Sequence, residues 1–488
     1  MKINVKYFVV LFFMAAFYNA SSQNKSNSNI DKLKEDAIQH IQSGYSFYKG
    51  IALQIWDYAE VGYKEEKSSA LLQKTLSDNG FNIKAGVAGM PTAFVASYGS
   101  GKPVIAILAE FDALPGFSQE AVPGKKPIEG KNAGHACGHH LFGTASVAAG
   151  IEIKKMLADK KLNGTVRVYG CPAEEGGSGK VYMVREGLFS DVDDVIHWHP
   201  ADGNAVTMTK SLANTSAKFR FHGISAHAAA SPERGRSALD AVEAMDNMVN
   251  MMREHIPQET RIHYVITNGG KAPNVVPDFA EVYYYVRNPD RTLVQSIFER
   301  VVKASKGAAM GTETTTDFET IGGTYDLLIN NTLAGAMQKN LEKVGGVTYT
   351  PQEFEFGKKL QTSFDFKYPL IESAATVKPI KQEEEAGGGG STDVGDVSWT
   401  VPTVGLRAAT WVPGTPAHSW QAVACGGTEI GIKGLMVAAK TMALTAIDLY
   451  TNPSLIEKSK EEFNKARGNN FQYKALLGDR KPALNYRD

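Results

Sequence analysis

Cysteine is scarce in this chain of 488 residues, which contains only three cysteines, at positions 137, 171 and 425. Three cysteines are too few for a disulfide scaffold in a chain this long. Net charge is also lacking, because 52 acidic side chains balance 52 basic ones. The composition therefore favours neither a nucleic acid nor an anionic membrane surface as a partner. Hydrophobic residues make up 43% of the chain, enough for a large core, and at roughly 100–200 residues per domain the length predicts two domains.

The N-terminus lacks an apolar run long enough to span a membrane. The apolar segment from Tyr7 to Phe17 is shorter than the ~20 residues that a spanning helix needs. Lys2 and Lys6 precede it and small residues follow it, which predicts a cleaved secretory signal peptide over residues 1–22. An uncleaved anchor is the alternative. We therefore expect a protein that is exported across the inner membrane to the periplasm, with no membrane contact beyond the signal peptide.

Short apolar runs alternate with helical periods, which predicts an α/β fold with a mixed, largely parallel sheet. Residues 212–323 have the order strand–helix–strand–strand–helix–strand, which is typical of a ferredoxin-like α+β domain. We expect this domain to be inserted between two parts of a catalytic domain, residues 30–211 and 324–452. Residues 350–395 are polar and glycine-rich, which predicts an irregular, mobile loop. Residues 453–488 are predicted to form a charged, loosely held C-terminal tail.

Two short clusters carry most of the chemistry in the sequence. The first, G-H-A-C-G-H-H, places Cys137 and His139 in a glycine-rich bend. The second, C-P-A-E-E-G-G, places Glu174 and Glu175 after an apolar run. Sulfur, nitrogen and oxygen ligands together suit a borderline divalent cation such as zinc. A spare carboxylate beside it suits a general base that acts on water. The pattern therefore indicates metal-assisted hydrolysis without a nucleophilic serine.

Further candidates follow the predicted strands. Asp112, the glutamate pair, His199 and His418 each come after one of them. Open α/β sheets build their sites beyond the carboxyl ends of the strands, so we expect these side chains to meet. Three of the candidate positions also have an alternative interpretation. Cys137 alone could be a small buried hydrophobe, Asp112 could cap a helix, and either His197 or His199 could be the ligand.

Several runs resemble the M20 family of metallopeptidases and amidohydrolases, in its branch of aminoacylases and auxin-conjugate hydrolases. The runs are E-F-D-A-L-P-G, G-H-A-C-G-H, P-A-E-E-G-G-S-G-K, W-H-P, G-I-S-A-H-A-A-A-S-P-E-R-G-R-S-A-L-D-A and G-T-P-A-H-S-W, and the likeness runs from about residue 35 to 450. N-V-V and S-T-D-V-G-D-V-S-W add a likeness to the p-aminobenzoyl-glutamate hydrolases of that branch. The resemblance implies a zinc-peptidase-like catalytic domain and an inserted dimerisation or lid domain.

The resemblance also implies a role for each candidate residue. Two divalent metal ions per subunit, zinc or manganese, would be held by Cys137, His139, Glu175, His199 and His418. Glu174 would be the general base, and Asp112 would orient a ligand imidazole. His227 would stabilise the developing oxyanion from the partner subunit. Asn274 and Arg287 would hold the substrate carboxylate, with a surface ion pair as the alternative for Arg287.

The implied activity is hydrolysis of the amide bond of N-acyl amino acids. The foremost candidate substrate is p-aminobenzoyl-glutamate, which would give p-aminobenzoate and glutamate. Thiolate ligation favours zinc, whereas the likeness to the p-aminobenzoyl-glutamate hydrolases favours manganese. We expect a homodimer. The alternatives are a heterodimer with a related subunit, a partner subunit without turnover of its own, and a dipeptidase or aminoacylase of different acyl specificity.

Overall fold

The computed structural model describes residues 29–159, 161–380 and 390–488. The predicted signal peptide and Gly387 to Gly389 of the glycine-rich run lie outside these residues. The strands are β1 (Asn82–Ala85), β2 (Phe94–Ser100), β3 (Val104–Glu110), β4 (Leu114–Pro115), β5 (Ala133–Gly134), β6 (Gly164–Cys171), β7 (Asp194–Ala201), β8 (Ala205–Val206), β9 (Ala213–His222), β10 (Arg261–Asn268), β11 (Phe279–Asn288), β12 (Thr315–Thr324) and β13 (Thr403–Ala409). The helices are α1 (29–43), α2 (Tyr45–Tyr58), α3 (Glu66–Asp78), α4 (His139–Ala158), α5 (Glu174–Gly177), α6 (Gly179–Arg185), α7 (Ala238–Met252), α8 (Arg291–Gly311), α9 (Asn331–Val344), α10 (Pro351–Gln361), α11 (Val394–Ser398), α12 (Trp420–Gly426), α13 (Glu429–Thr451) and α14 (Pro453–Arg467).

A seven-stranded sheet forms the centre of the larger domain, with the strand order β1–β2–β6–β3–β7–β13–β8. Strands β6, β3, β7 and β13 run parallel to one another in the middle of this sheet. The outer strands pair antiparallel. The prediction of a mixed, largely parallel α/β sheet is therefore confirmed. The parallel block brings the carboxyl ends of four strands to one edge.

Helices cover both faces of the central sheet. All seven residues of β3 are buried, and they alternate between the two faces because side chains alternate along a strand. Ile105 and Ile107 belong to the core under α2, α4, α9 and α13, whereas Ala106 and Leu108 belong to the core under α6 and α11. Helix α13 is long and apolar enough to cross a membrane, but 89% of its apolar window is buried inside the fold. It is a core helix of this domain.

The inserted segment forms a separate antiparallel sheet with the order β10–β11–β9–β12. Strand β11 alternates between buried and half-buried residues along its whole length. Its buried side chains include Val282 and Tyr284, which pack with residues of α7 and α8 on one face of the sheet. This order of elements and strands is the predicted ferredoxin-like arrangement. Strand β10 lies at the edge of the sheet, and only Ile262 on it is buried.

Two expectations about irregular segments are wrong. Residues 351–361, expected to be part of a mobile loop, form helix α10, which begins with a complete capping box between Thr350 and Glu353. The C-terminal tail, expected to be loosely held, begins with α14 and continues along the catalytic domain. Ala475 and Leu477 are buried in its core. The prediction was wrong because it rested on the charged composition of the tail and gave no weight to these few apolar residues.

Candidate metal centre

The candidate residues gather at the carboxyl edge of the parallel strands. Cys137 lies in the bend before α4, and His139 is the first residue of that helix. Gly138 between them has a φ of 77°, and a Cβ atom there would lie 2.7 Å from Cβ of Pro200 at the end of β7. A glycine is therefore required for the bend to approach this strand. His199 lies inside β7, near its end, rather than after it as expected.

The first group of ligand-type atoms consists of Cys137, His139 and His199, whose ligand atoms lie within 4.8 Å of one another. The Sγ of Cys137 is 3.5 Å from Nε2 of His199. The Nδ1–H of His199 donates to the carbonyl of Pro200 at 2.7 Å, and that of His139 donates to Asp112 at 2.8 Å. Each imidazole is thereby fixed with its Nε2 lone pair facing the group, as metal-binding histidines require.

The second group consists of Cys137, Glu175 and His418, again within 4.8 Å. The Nε2 of His418 lies 3.0 Å from Oε1 of Glu175. The backbone N–H of His418 donates to the carbonyl of Ala136 at 2.9 Å, which ties its loop to the cysteine bend. His418 has a φ of 56°, an uncommon conformation for a residue other than glycine. Because Cys137 belongs to both groups, the five side chains form one continuous cluster.

The cluster fits divalent cations by its chemistry. Nε2 of His139 and Oε1 of Glu175 are buried and form no hydrogen bond, although buried polar atoms are normally paired; they lie 3.2 and 3.0 Å from other ligand-type atoms instead. Thiolate, imidazole and carboxylate are the ligand types that zinc accepts. Burial raises the pKa of the Cys137 thiol, so a bound cation would have to displace its proton. Burial lowers the pKa of His199 and keeps that imidazole neutral.

Glu174 and Glu175 lie in a tight turn rather than in the extended stretch expected from the sequence. The two side chains nevertheless reach different groups: Glu175 faces Cys137 and His418, whereas Glu174 faces Glu110 and His139. Burial, followed by repulsion from Glu110 and Glu175, raises the pKa of Glu174 well above its usual range.

Asp112 holds both sides of the cluster together. One carboxylate oxygen accepts the hydrogen bond from His139, and the other accepts the backbone N–H of Glu175 at 2.9 Å. Both oxygens are thus committed to the cluster. This geometry favours the orienting role over the helix-capping alternative.

Sequence reasoning missed a buried ion triad beneath the cluster. The Nζ of Lys180 lies 2.6 Å from Glu110 and 2.6 Å from Asp393, and all three side chains are buried. Burial alone would lower the pKa of Lys180, but the two carboxylates outweigh it and raise that pKa. The other oxygen of Glu110 lies 3.2 Å from Nε2 of His139. A buried lysine requires such partners, and its position just after the glutamate pair was the available signal.

The two candidate histidines of β7 point to different places. His199 joins the cluster, whereas His197 points at Gly405 on β13, where a Cβ would lie only 2.2 Å from its Nε2. His140, the residue after His139, points away and lies 3.0 Å from the carbonyl of Gly426.

The remaining candidates lie on the inserted domain. His227 and Asn274 are exposed neighbours in two paired loops: the N–H of Ala228 donates to the carbonyl of Asn274 at 3.1 Å. The Nδ1 of His227 accepts hydrogen bonds from two backbone N–H groups. Arg287 stacks on Tyr285 at 5.1 Å, and its buried Nε has no hydrogen-bond partner. These three residues are not among those of the ligand cluster.

The fold and the ligand cluster define a class, the metallohydrolases with an inserted second domain. A model of the peptidase dimerisation domain of M20 proteins matches residues 212–312. One of the p-aminobenzoyl-glutamate hydrolase subunits of Escherichia coli (strain K12) is 43% identical over 447 residues, which cover 86% of this chain and 93% of that protein. The chain belongs to the M20 peptidase family, as the motifs predicted.

Two further similarities agree with this assignment. The Xaa-Arg dipeptidase of Mus musculus is 28% identical over 451 residues, covering 89% of this chain and 93% of that protein. The structure of a dinuclear metal-binding M20 peptidase from Bacillus subtilis superposes with a TM-score of 0.58 at 16% identity, covering 84% of this chain and 99% of that one. The latter similarity establishes the shared fold.

Proposed function

We propose that this chain hydrolyses the amide bond of N-acyl amino acids, with p-aminobenzoyl-glutamate as the first candidate substrate. The observation that carries the proposal is the cluster of five ligand-type side chains with Glu174 beside it. The 43% identity to a p-aminobenzoyl-glutamate hydrolase chain supports this choice of substrate. The likeness to the Xaa-Arg dipeptidase keeps a dipeptidase as the second candidate.

Cys137, His139, Glu175, His199 and His418 would hold two divalent cations, zinc or manganese. When bound, such cations lower the pKa of water and polarise a carbonyl group. Glu174 then takes the proton from the attacking water and later returns it to the leaving amine. Asp112 keeps the imidazole of His139 and the backbone of Glu175 in place throughout.

His227 suits the role of oxyanion donor. Its Nδ1 accepts hydrogen bonds from the N–H groups of Ala229 and Ala230, at 3.2 and 3.1 Å. The neutral ring must then carry its proton on Nε2, which is free to donate to the negative oxygen of a tetrahedral intermediate. Arg287 and Asn274 would bind the carboxylate of the amino acid.

A dimer would bring His227 to a second active site. On the edge strand β10, Tyr264, Val265 and Ile266 are 37%, 56% and 40% exposed. Exposed apolar edge strands are templates for pairing with another chain. We favour a homodimer through β10; a heterodimer with a related polypeptide is the alternative, since the Escherichia coli relative is itself a subunit.

The decisive experiment is a substrate panel on the chain purified alone, assayed with zinc and with manganese in parallel. We expect release of glutamate from p-aminobenzoyl-glutamate, weaker hydrolysis of other N-acyl amino acids and little cleavage of tripeptides. Faster cleavage of dipeptides would favour the second candidate. Turnover that appears only after a second polypeptide is added would favour the heteromeric alternative.

We also propose a periplasmic location, on the basis of the signal-peptide pattern in residues 1–22. Cell fractionation with N-terminal sequencing of the mature chain tests it.

A further inference from the structure

The turn that carries Glu174 and Glu175 has a costly backbone conformation. Ala173 and Ser178, on either side of it, have φ angles of 55° and 59°, in the left-handed region that residues other than glycine rarely adopt. Such conformations persist only where surrounding contacts fix them. The turn therefore depends on hydrogen bonds from outside its own sequence.

Two of these bonds come from the region just before α3. The carboxylate of Glu65 accepts the backbone N–H of Ala173 at 2.8 Å, and the hydroxyl of Tyr63 donates to the carbonyl of Gly177 at 2.7 Å. Asp112 holds the N–H of Glu175, as described above. These contacts leave the carbonyl of Glu175, at the centre of the turn, to be held from elsewhere.

The far C-terminal segment provides that contact. The guanidinium of Arg487 donates to the carbonyl oxygen of Glu175 at 2.6 Å, and the hydroxyl of Tyr486 donates to the same oxygen at 3.1 Å. A carbonyl oxygen has two lone pairs, so both are used. The guanidinium also stacks on the ring of Tyr486, 4.7 Å from its centroid.

The C-terminal segment is itself anchored on both sides of these two residues. Arg185 donates to the carbonyls of Gly478 and Arg480, at 3.1 and 2.8 Å. Asp488 pairs with Lys64 at 2.8 Å, next to the tyrosine that holds Gly177. The ring of Tyr486 packs edge-on against Tyr63, with centroids 5.6 Å apart. The segment therefore reaches the turn in a fixed position.

We propose that Tyr486 and Arg487 are positioning residues of the active site, which hold the Glu174–Glu175 turn through the carbonyl of Glu175. The kinetic consequence of this inference rests on the proposed function. The contact with the carbonyl of Glu175 is independent of that function. Small displacements of catalytic groups can cost about a hundredfold in rate. Loss of the contact should thus lower kcat while leaving KM nearly unchanged.

The kinetic test compares Arg487→Ala, Tyr486→Phe and their combination with Lys481→Ala. Lys481 is an exposed cation on the same segment and serves as the control for removal of charge. We expect kcat to fall about tenfold in Arg487→Ala and up to about a hundredfold in the double variant, with KM changed less than about twofold. Arg487→Lys, which keeps a donor, should recover most of the activity.

A second measurement needs no substrate. Amide hydrogen exchange over residues 173–178 should be faster in the double variant than in the wild type, at an unchanged thermal midpoint, and unchanged in Lys481→Ala. Wild-type kcat and exchange in the double variant would overturn the proposal, as would an equal loss of activity in Lys481→Ala. If the wild type hydrolyses no N-acyl amino acid, the proposed function fails, while the exchange result still decides whether the contact holds the turn.

Discussion

The catalytic domain and the inserted domain differ in the groups that each leaves without a partner. The catalytic domain buries charged and polar side chains, and some of their atoms, such as Nε2 of His139 and Oε1 of Glu175, lie against other ligand-type atoms without forming a hydrogen bond. The inserted domain has an apolar core, although the buried Nε of Arg287 also forms no hydrogen bond, and its strand β10 exposes Tyr264, Val265 and Ile266. The first arrangement suits divalent cations, and the second suits pairing with another protein surface. The same chain thus combines one domain suited to chemistry with one suited to assembly.

The largest effect that this comparison predicts concerns Glu174. Glu174→Gln keeps the size of the side chain but removes the proton acceptor, so we expect the rate of hydrolysis to fall by about 10²–10⁴-fold. The divalent-ion content should stay at the wild-type level, because Glu174 is not one of the five proposed ligands. Glu186→Gln, at an exposed position, is the matched control. A variant that keeps most of its activity would show that the base is assigned to the wrong residue.

A smaller effect is expected from a charge on the exposed edge of the inserted domain. Val265→Lys places a cation on β10 without touching the catalytic domain, so it should weaken strand pairing between subunits. Light scattering should show a shift from dimer to monomer, and activity should fall about tenfold or more because His227 would no longer reach a second site. Met310→Lys, at an 80% exposed position on α8, should leave both properties unchanged. An unchanged dimer in Val265→Lys would exclude β10 as the interface.

The smallest effect concerns a buried carboxylate away from the cluster. Asp194, at the start of β7, is fully buried; burial and then Asp193 raise its pKa to about 8, although Ser459 donates a hydrogen bond to it at 2.7 Å. Since the pKa in the folded state exceeds the ordinary value of 3.8, this group stabilises the protein at low pH, and that contribution is lost as the pH rises through about 8.

The Asp194→Asn variant tests whether the contribution of Asp194 to stability falls as the pH rises. Its free energy of unfolding should exceed that of the wild type by a margin that is small at pH 5 and grows by a few kcal/mol by pH 9, because the wild-type carboxyl loses its contribution between the ordinary pKa of 3.8 and the folded value of about 8. Denaturant titrations at the two pH values measure the difference. A difference between variant and wild type that is the same at both pH values would show that Asp194 ionises in the folded protein without cost.

Much of the fold and the ligand cluster could be predicted because the signals are local. Continuous apolar runs marked the buried parallel strands, and the alternating pattern marked the inserted sheet. A single residue separates Cys137 from His139, and the other ligand candidates lie near or beyond the ends of predicted strands, so the topology alone predicted that they would meet. Helix α10 was predictable too, from Thr350, Pro351 and Glu353, but the polar composition of that region outweighed this signal.

The contacts that were missed join distant parts of the chain. In the triad of Glu110, Lys180 and Asp393, the hydrogen-bonded residues Lys180 and Asp393 are 213 positions apart in the sequence. Arg487 binds a backbone carbonyl 312 positions away. Every residue has a backbone carbonyl, so the pattern of side chains does not show which carbonyl binds an arginine. No rule based on residue spacing predicts this contact.

We propose that five side chains of the catalytic domain hold two divalent cations. The most direct test of this proposal is the number of ions per subunit, measured by elemental analysis on the wild type and on Glu175→Gln and His418→Ala variants. We expect two ions per subunit in the wild type, fewer in both variants, and loss of turnover with a chelator that is restored by zinc or manganese. Full activity in a metal-free wild-type preparation would contradict it.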